Sequence, residues 1–274
     1  MRFRRTAVCA ATATALVAAT AGTAHATPPI PTRMAALGDS LTRAAGSCTV
    51  GGGTLCARNS WSTGANPAVG SHYSRIRELN PEVLPYNEAR AGATSADLGR
   101  QVRAAVAEGG IDYVTVMIGE GDACAASEAR MTSVGSFRNR IRAALRTLHS
   151  AAPEASVFVA SVPDPVQLWQ LGKDDPAAVK AWKDGGVCQA LLADPTSLSA
   201  GATERRERVR ERVMDYNAAL DRACREIAGC RYDGDAVFDH RFSAADISSA
   251  DHFHPSLAGQ RTLAEVTYEA GFDW

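Results

Sequence analysis

Residues 34–41 read Met34-Ala35-Ala36-Leu37-Gly38-Asp39-Ser40-Leu41. Four apolar residues stop at a glycine, and a polar turn follows at once. A short apolar run closed by a turn signal is the pattern of a strand buried on both faces. Val83-Leu84-Pro85-Tyr86 repeats it and leads into Asn87, with a proline that marks an edge strand or a strand start. Tyr113-Val114-Thr115-Val116-Met117-Ile118 is the strongest run, rich in β-branched residues and ending at Gly119. Ser156-Val157-Phe158-Val159-Ala160 precedes the breaker Val162-Pro163-Asp164, and a weaker run lies near Cys230-Arg231-Tyr232.

Helical periods separate these runs. Leu98, Val102, Ala105 and Val106 share one face, with Thr94 or Ser95 as the expected cap. Phe137, Ile141, Leu145 and Leu148 share another, as do Val209, Val213, Leu220 and Ile227 in a longer helix from about Thr203. Leu263, Val266 and Ala270 suggest a terminal helix. Alternating strands and helices predict an α/β domain, a three-layer α/β/α sandwich on a parallel sheet of about five strands. The stretch from Pro165 to about Ala202 breaks the rhythm while carrying Leu168, Trp169, Leu171, Trp182, Leu191 and Leu192. It is expected to be a partly helical insertion that either walls a cleft or covers the core. The arginine- and glutamate-rich run 204–212 reads as a solvated helix face.

Residues 1–26 have Arg2, Arg4 and Arg5, an apolar run to about Ala21, and Ala24-His25-Ala26. That is the layout of a secretory signal peptide cleaved after Ala26, leaving residues 27–274 as a single exported, extracellular domain. An uncleaved anchor is the alternative; Arg4-Arg5 is compatible with twin-arginine export, and Cys9 is not placed as a lipid-anchor cysteine. The whole chain carries a net charge of −1, with 6% aromatic residues. That balance gives no support for nucleic-acid binding. No second long apolar segment follows, so no integral membrane segment is expected in the mature protein, which is read as a monomer. Cys48, Cys56, Cys124, Cys188, Cys224 and Cys230 remain after the leader, an even set that favours disulfides in an exported chain. Among the possible pairings the sequential set, 48–56, 124–188 and 224–230, is expected because two of its pairs close short local loops. A zinc site is the rival, but neither Cys-x-x-Cys nor His-x-x-x-His spacing occurs.

Ligands of an open parallel sheet bind where strands end, and four runs end in polar or glycine-rich loops: 38–41, 87–92, 119–122 and 162–164. Serine becomes a useful nucleophile when a base takes its proton and a third group orients that base. Asp251 and His254, in Asp251-His252-Phe253-His254-Pro255, lie three residues apart just before the terminal helix. Each motif alone is weak; their joint placement at the two ends of the domain is specific. His252 lacks the spacing and is expected to be exposed. His72, His149 and His240 default to surface or helix-end roles. Asp39 is expected to fix the turn at Ser40, Asp164 to shape a turn or the cleft, and Asp122 to be structural in its loop.

On these blocks the sequence resembles the SGNH, or GDSL, hydrolases over most of the mature chain. The resemblance implies a flavodoxin-like sheet and a cofactor-free, metal-free carboxylic ester hydrolase of esterase or lipase type. It makes Ser40 the nucleophile, His254 the base and Asp251 its orienting acid. Asn87-Glu88-Ala89-Arg90-Ala91-Gly92-Ala93-Thr94 resembles the family's middle block, with the Ser40 and Gly92 N–H groups as oxyanion donors. Its substrates would be small-molecule or lipid esters: a lipid, a phospholipid acyl ester or an acetylated sugar, with Trp169 and Trp182 favouring acyl chains. One block departs. The family has Gly-x-Asn-Asp where this chain has Gly119-Glu120-Gly121-Asp122, so the asparagine donor is replaced by Gly121. Losing one such donor costs about 10²–10³ in turnover, and Gly121→Asn is expected to recover it. The alternatives are a weakened or inactive lipid- or glycan-binding pseudoenzyme, for which Gly121 speaks, and a peptidase, against which the resemblance speaks.

Overall fold

The computed structural model describes residues 27–48 and 55–274, and the expected export signal lies outside the described residues. Strands β1 (Arg33–Gly38), β2 (Leu84–Asn87), β3 (Tyr113–Met117), β4 (Ser156–Val159) and β5 (Cys230–Tyr232) form one sheet in the order β2-β1-β3-β4-β5. Every neighbouring pair is parallel. Each strand falls on its apolar run, and Pro85 sits on the edge strand, where a missing N–H is tolerated. The helices are α1 (His72–Leu79), α2 (Leu98–Ala107), α3 (Glu120–Ala123), α4 (Val134–Ala151) and α5 (Pro165–Gly172). They continue as α6 (Pro176–Asp184), α7 (Gln189–Leu192), α8 (Ala200–Arg225), α9 (Ala236–Asp239) and α10 (Leu257–Glu269).

Period-two alternation sends the strand side chains into two cores. Ala35, Leu37, Val114, Val116, Val157 and Val159 meet the apolar stripes of α2, α4 and α8. Met34, Tyr113, Met117 and Phe158 meet Ile76 of α1 and Leu263 and Ala264 of α10. The predicted three layers follow. Helix entries are fixed locally: Ser71, Ser133, Ser199 and Ser256 each accept an N–H of the first turn. Asp164 and Asp175 do the same before Pro165 and Pro176. The expected cap of α2 is corrected. Asp97 precedes that helix without a capping bond, because Ser95 is engaged by Asp122 and the Thr94 N–H donates to Asp97.

The stretch after β4 is largely helical. Its helices α5–α7 build a satellite core of Ala178, Trp182, Leu191 and Leu192 against Val209 of α8, and they also wall a cavity described below. The three disulfides are the sequential pairs, Cys48–Cys56, Cys124–Cys188 and Cys224–Cys230. Cys124–Cys188 spans 64 residues, a loop whose closure restricts the unfolded chain by about 4 kcal/mol in the entropic account. Nor is the run 204–212 wholly a solvated face. Arg206 is 2% exposed, lies 4.1 Å from the Trp169 ring, and donates to the carbonyls of Asp194 and Ser197. The free backbone acceptors of the preceding loop account for its burial. Trp169 itself donates to Pro195 O at 2.7 Å, which ties it to that loop.

His72 opens α1, the helix-end place expected of it, but is buried rather than at the surface. It is 1% exposed, enclosed by Trp61, Tyr113, Phe158 and Tyr268, with Nδ1 at 2.7 Å from the Tyr113 hydroxyl and Nε2 at 2.9 Å from Thr267 Oγ1. Burial, then the Arg75 charge, lowers its pKa to about 3. The folded protein therefore keeps His72 neutral where the unfolded chain binds a proton, so its contribution to stability is full above pH 6.5 and falls as pH drops toward 3. Between pH 6.5 and pH 4 the loss is about 3 kcal/mol. Urea unfolding at pH 7 and pH 4 should show His72→Phe less stable than wild type at pH 7 but with a smaller acid penalty.

Candidate active site

At the end of β1 the chain turns through Asp39-Ser40-Leu41, and buried side chains fix the turn on both sides. Gln101 of α2 donates through Nε2 to Gly38 O and accepts from Gly38 N through Oε1, each at 2.8 Å. Gln260 of α10 donates to Leu41 O and accepts from Trp61 N, each at 2.9 Å. Asp39 Oδ1 accepts from Leu41 N at 3.1 Å, the turn-fixing role expected of it. Ser40 is left 5% exposed on an anchored backbone.

Asp251 and His254 lie in a loop pinched by the bridge between Ile247 and Pro255. Asp251 Oδ1 accepts from the N–H groups of Phe253 and His254 at 3.0 Å, and Oδ2 lies 2.8 Å from His254 Nδ1. Burial pushes the Asp251 pKa up, but the hydrogen bonds from His254 and Phe253 outweigh it and hold the group below the usual carboxylate range. An ionised carboxylate on Nδ1 fixes the tautomer and leaves Nε2 as the basic nitrogen. The loop is docked on the serine turn through Gly46. Ser248 Oγ donates to Gly46 O at 2.6 Å. A Cβ on Gly46, whose φ is +73°, would stand 2.9 Å from both Asp251 Oδ2 and His254 Cβ. His252 is half-buried rather than exposed, because its backbone carbonyl receives the Trp182 indole N–H at 2.8 Å and its ring lies 3.7 Å from Asp175.

The loop after β2 reaches the same end of the sheet. Arg90 N donates to Gly38 O at 3.1 Å, and Ser95 donates through N and Oγ to Asp122 at 2.6 and 2.7 Å. Asp122 is therefore the structural tie expected of it, holding the loop that carries Gly92 against α3. The expectation for Gly121 changes. A Cβ there would lie 2.4 Å from Ala93 O, so asparagine cannot be added without moving the Gly92 loop. Its neighbour Glu120 occupies the ground beside the serine instead. Ser40 Oγ donates to Glu120 Oε2 at 3.5 Å, and Glu120 Oε1 is buried without a partner. Burial raises the Glu120 pKa, partly opposed by the His254 charge and the Ser40 hydrogen bond. Asp39 is likewise pushed well up, by burial first and then by Glu120. Among the described residues no hydrogen bond joins Ser40 to His254, a contact that commonly tightens only with substrate.

An apolar cavity, open to solvent at its mouth, adjoins Leu41 and Glu120. Val162, Leu168, Leu171, Leu191, Phe242 and Phe253 supply much of its apolar lining. Asn217 of α8 secures this wall by exchanging hydrogen bonds with Val162 N and O at 2.8 and 3.1 Å. Asp164 both caps α5 and lines the cavity, paired with Arg210 at 2.8 Å. Trp182 edges an adjoining recess, whereas Trp169 takes no part in either lining. The sequence reading missed Gly46, Glu120, Gln101, Gln260 and Asn217. The readable signal for Gln101 was a polar residue in the phase of Leu98, Val102 and Ala105.

A profile of the family described as GDSL-like Lipase/Acylhydrolase matches residues 34–267, from β1 through most of α10. The chain belongs to the GDSL-like lipase/acylhydrolase family. It is a carboxylic ester hydrolase. Solved structures of similar fold include an extracellular lipase from Streptomyces rimosus, with a TM-score of 0.54, 16% identity, and 87% of this chain and 99% of that one covered. The acetylxylan esterase Axe2 from Geobacillus stearothermophilus gives a TM-score of 0.52 and 16% identity, covering 88% and 95%. LAE5, an alpha/beta hydrolase enzyme from the Lake Arreo metagenome, gives 0.53 and 17%, covering 87% and 94%. At these identities the likeness is one of fold. A search of curated proteins gave no match.

Within this GDSL hydrolase, Gly46→Ala should displace the Asp251–His254 pair and lower kcat/KM by about 10- to 100-fold, measured beside a thermal melt that corrects for lost folded protein. Gly121→Asn should lower the melting temperature and fail to raise turnover, reversing the outcome expected from the motif alone.

Proposed function

We propose that the mature protein is an exported esterase that cleaves esters with an apolar acyl chain through an acyl-enzyme on Ser40. The observation that carries this reading is the Asp251–His254 contact at 2.8 Å, in a loop docked through Gly46 on the turn that presents Ser40, beside an apolar cavity. His254 Nε2 takes the Ser40 proton as Oγ attacks the ester carbonyl, and then returns it to the leaving alcohol. Water repeats the cycle on the acyl-enzyme. The Ser40 and Gly92 N–H groups, which no acceptor among the described residues takes up, are the backbone donors to the oxyanion. Three disulfides support export, and among the described residues no helix is long and apolar enough to cross a membrane. The leucine-lined cavity favours acyl chains over acetylated sugars.

The missing asparagine donor at Gly121 favours one second reading, a binding protein that has lost catalysis. Nitrophenyl esters of increasing chain length, given to wild type and Ser40→Ala, separate the two. Wild type should prefer medium chains over acetate, and Ser40→Ala should lose about 10⁴-fold or more. Equal inertness of two folded proteins would favour the binding protein. Leu171→Trp, which narrows the cavity, should shift preference toward acetate with little effect on acetate turnover itself.

A further inference from the structure

We propose that Glu120, carrying a proton, donates a hydrogen bond to the oxyanion and supplies the contact for which the family uses asparagine. The inference rests on the esterase reading of Ser40 and concerns how that site stabilises its transition state.

The geometry comes first. Glu120 Oε2 is 3.5 Å from Ser40 Oγ, close enough to reach the oxygen of a carbonyl carbon bonded to that nucleophile. Oε1 is buried and has no partner among the described residues, so the carboxyl retains bonding capacity. The asparagine position itself is closed by Ala93 O, 2.4 Å from where a Cβ would stand at Gly121. Glu120 is also one of the residues that line the apolar cavity, where an ester would lie.

The surrounding charges favour the protonated form. Asp39, on the turn after β1, and Asp122, one residue beyond Gly121 in α3, share this buried corner. No arginine or lysine is ion-paired with Glu120, Asp39 or Asp122 among the described residues. The Arg140 charge from α4 acts on Asp122, and the Tyr216 hydroxyl of α8 lies 3.5 Å from Asp122 O. Across the cavity, Asp164 is neutralised by Arg210, while Asp246 is hydrogen-bonded by Ser243 and Thr262. Two groups favour ionised Glu120: the His254 charge, which acts only when that ring is protonated, and the Ser40 hydrogen bond. Close carboxyls in a dry site cannot all ionise cheaply, and a neutral carboxyl is a donor where a carboxylate is only an acceptor.

In the step itself the Oγ–C bond forms, the carbonyl π pair moves to oxygen, and the Ser40 proton passes to His254 Nε2. The Glu120 proton stays on its own oxygen and is shared with the oxyanion. When the intermediate collapses, the C–O bond to the alcohol breaks and His254 protonates the leaving oxygen. Ionised Glu120 would face that oxyanion with like charge, so activity requires the proton.

The test is the pH dependence of kcat/KM on a nitrophenyl ester for wild type, Glu120→Gln and Glu120→Ala, with thermal melts of each and Ser40→Ala alongside. Wild type should lose activity on an alkaline limb while still folded. Glu120→Gln keeps a donor that cannot ionise and should stay within about tenfold of wild type with that limb abolished. Glu120→Ala should fall by about 10²–10³-fold, chiefly in kcat. A folded Glu120→Ala that matches wild type, or a Glu120→Gln that keeps the alkaline limb, overturns the proposal. If Ser40→Ala is as active as wild type, it is the esterase reading of Ser40 that fails instead.

Discussion

Gln101 and Gly38 exchange two hydrogen bonds where β1 gives way to the serine turn, and the active end of the molecule depends on that kind of contact. A parallel strand that stops in a closely packed site leaves backbone N–H and C=O groups with no ladder partner and little water. Each group buried unsatisfied costs about 1–3 kcal/mol. Here side chains from the surrounding helices and loops answer them one by one. Gln101 serves Gly38, Gln260 serves Leu41 and Trp61, and Asn217 serves Val162. Asp122 receives Ser95, and Asp233 receives Ser161 through both N and Oγ at 2.9 and 2.7 Å. The strand-end loops are thereby tied to the helices around them or to one another, and the geometry at Ser40 inherits the rigidity of the sheet.

The same closeness explains the departure at Gly121. The loop carrying Gly92 rests on α3 so tightly that its Ala93 carbonyl fills the space of a side chain at 121. Polar chemistry beside Ser40 passes to the adjoining residue, Glu120, and the carboxyl is taken into a corner that already contains Asp39. That arrangement costs folding energy through desolvation, and a structural role does not account for it, since Glu120 Oε1 has no partner among the described residues. A buried polar atom without a partner, beside the serine of the candidate site, is where function is expected to be set against stability.

The sheet and its two faces were legible because strands covered on both sides read as unbroken apolar runs, and β1, β3 and β4 are of that kind. The Ser40 turn and the Asp251–His254 loop were legible because their chemistry is encoded in short local spacings. What escaped were relations between distant residues. Gln101 meets Gly38 across 63 positions and Gln260 meets Leu41 across 219, and no periodicity in either segment announces such a pairing. His72 escaped because a histidine at a helix start looks like a surface residue until Trp61, Tyr113 and Tyr268 close around it. Glu120 escaped because nothing in its local sequence announces its burial; burial alters its protonation and hence its bonding, and burial is a property of the assembled fold.

The cavity wall draws Leu168, Leu171 and Leu191 from one continuous stretch, whereas Ser40, Glu120 and His254 arrive from three separate places along the chain. That stretch leaves the sheet after β4, is fastened by Cys124–Cys188, and rejoins the main layers at α8. On the proposed reading, one contiguous block supplies part of the acyl pocket, and Phe242 and Phe253 complete it from later in the chain. A change confined to that block would therefore reshape one wall of the cavity and leave the turn that presents Ser40 where the sheet holds it.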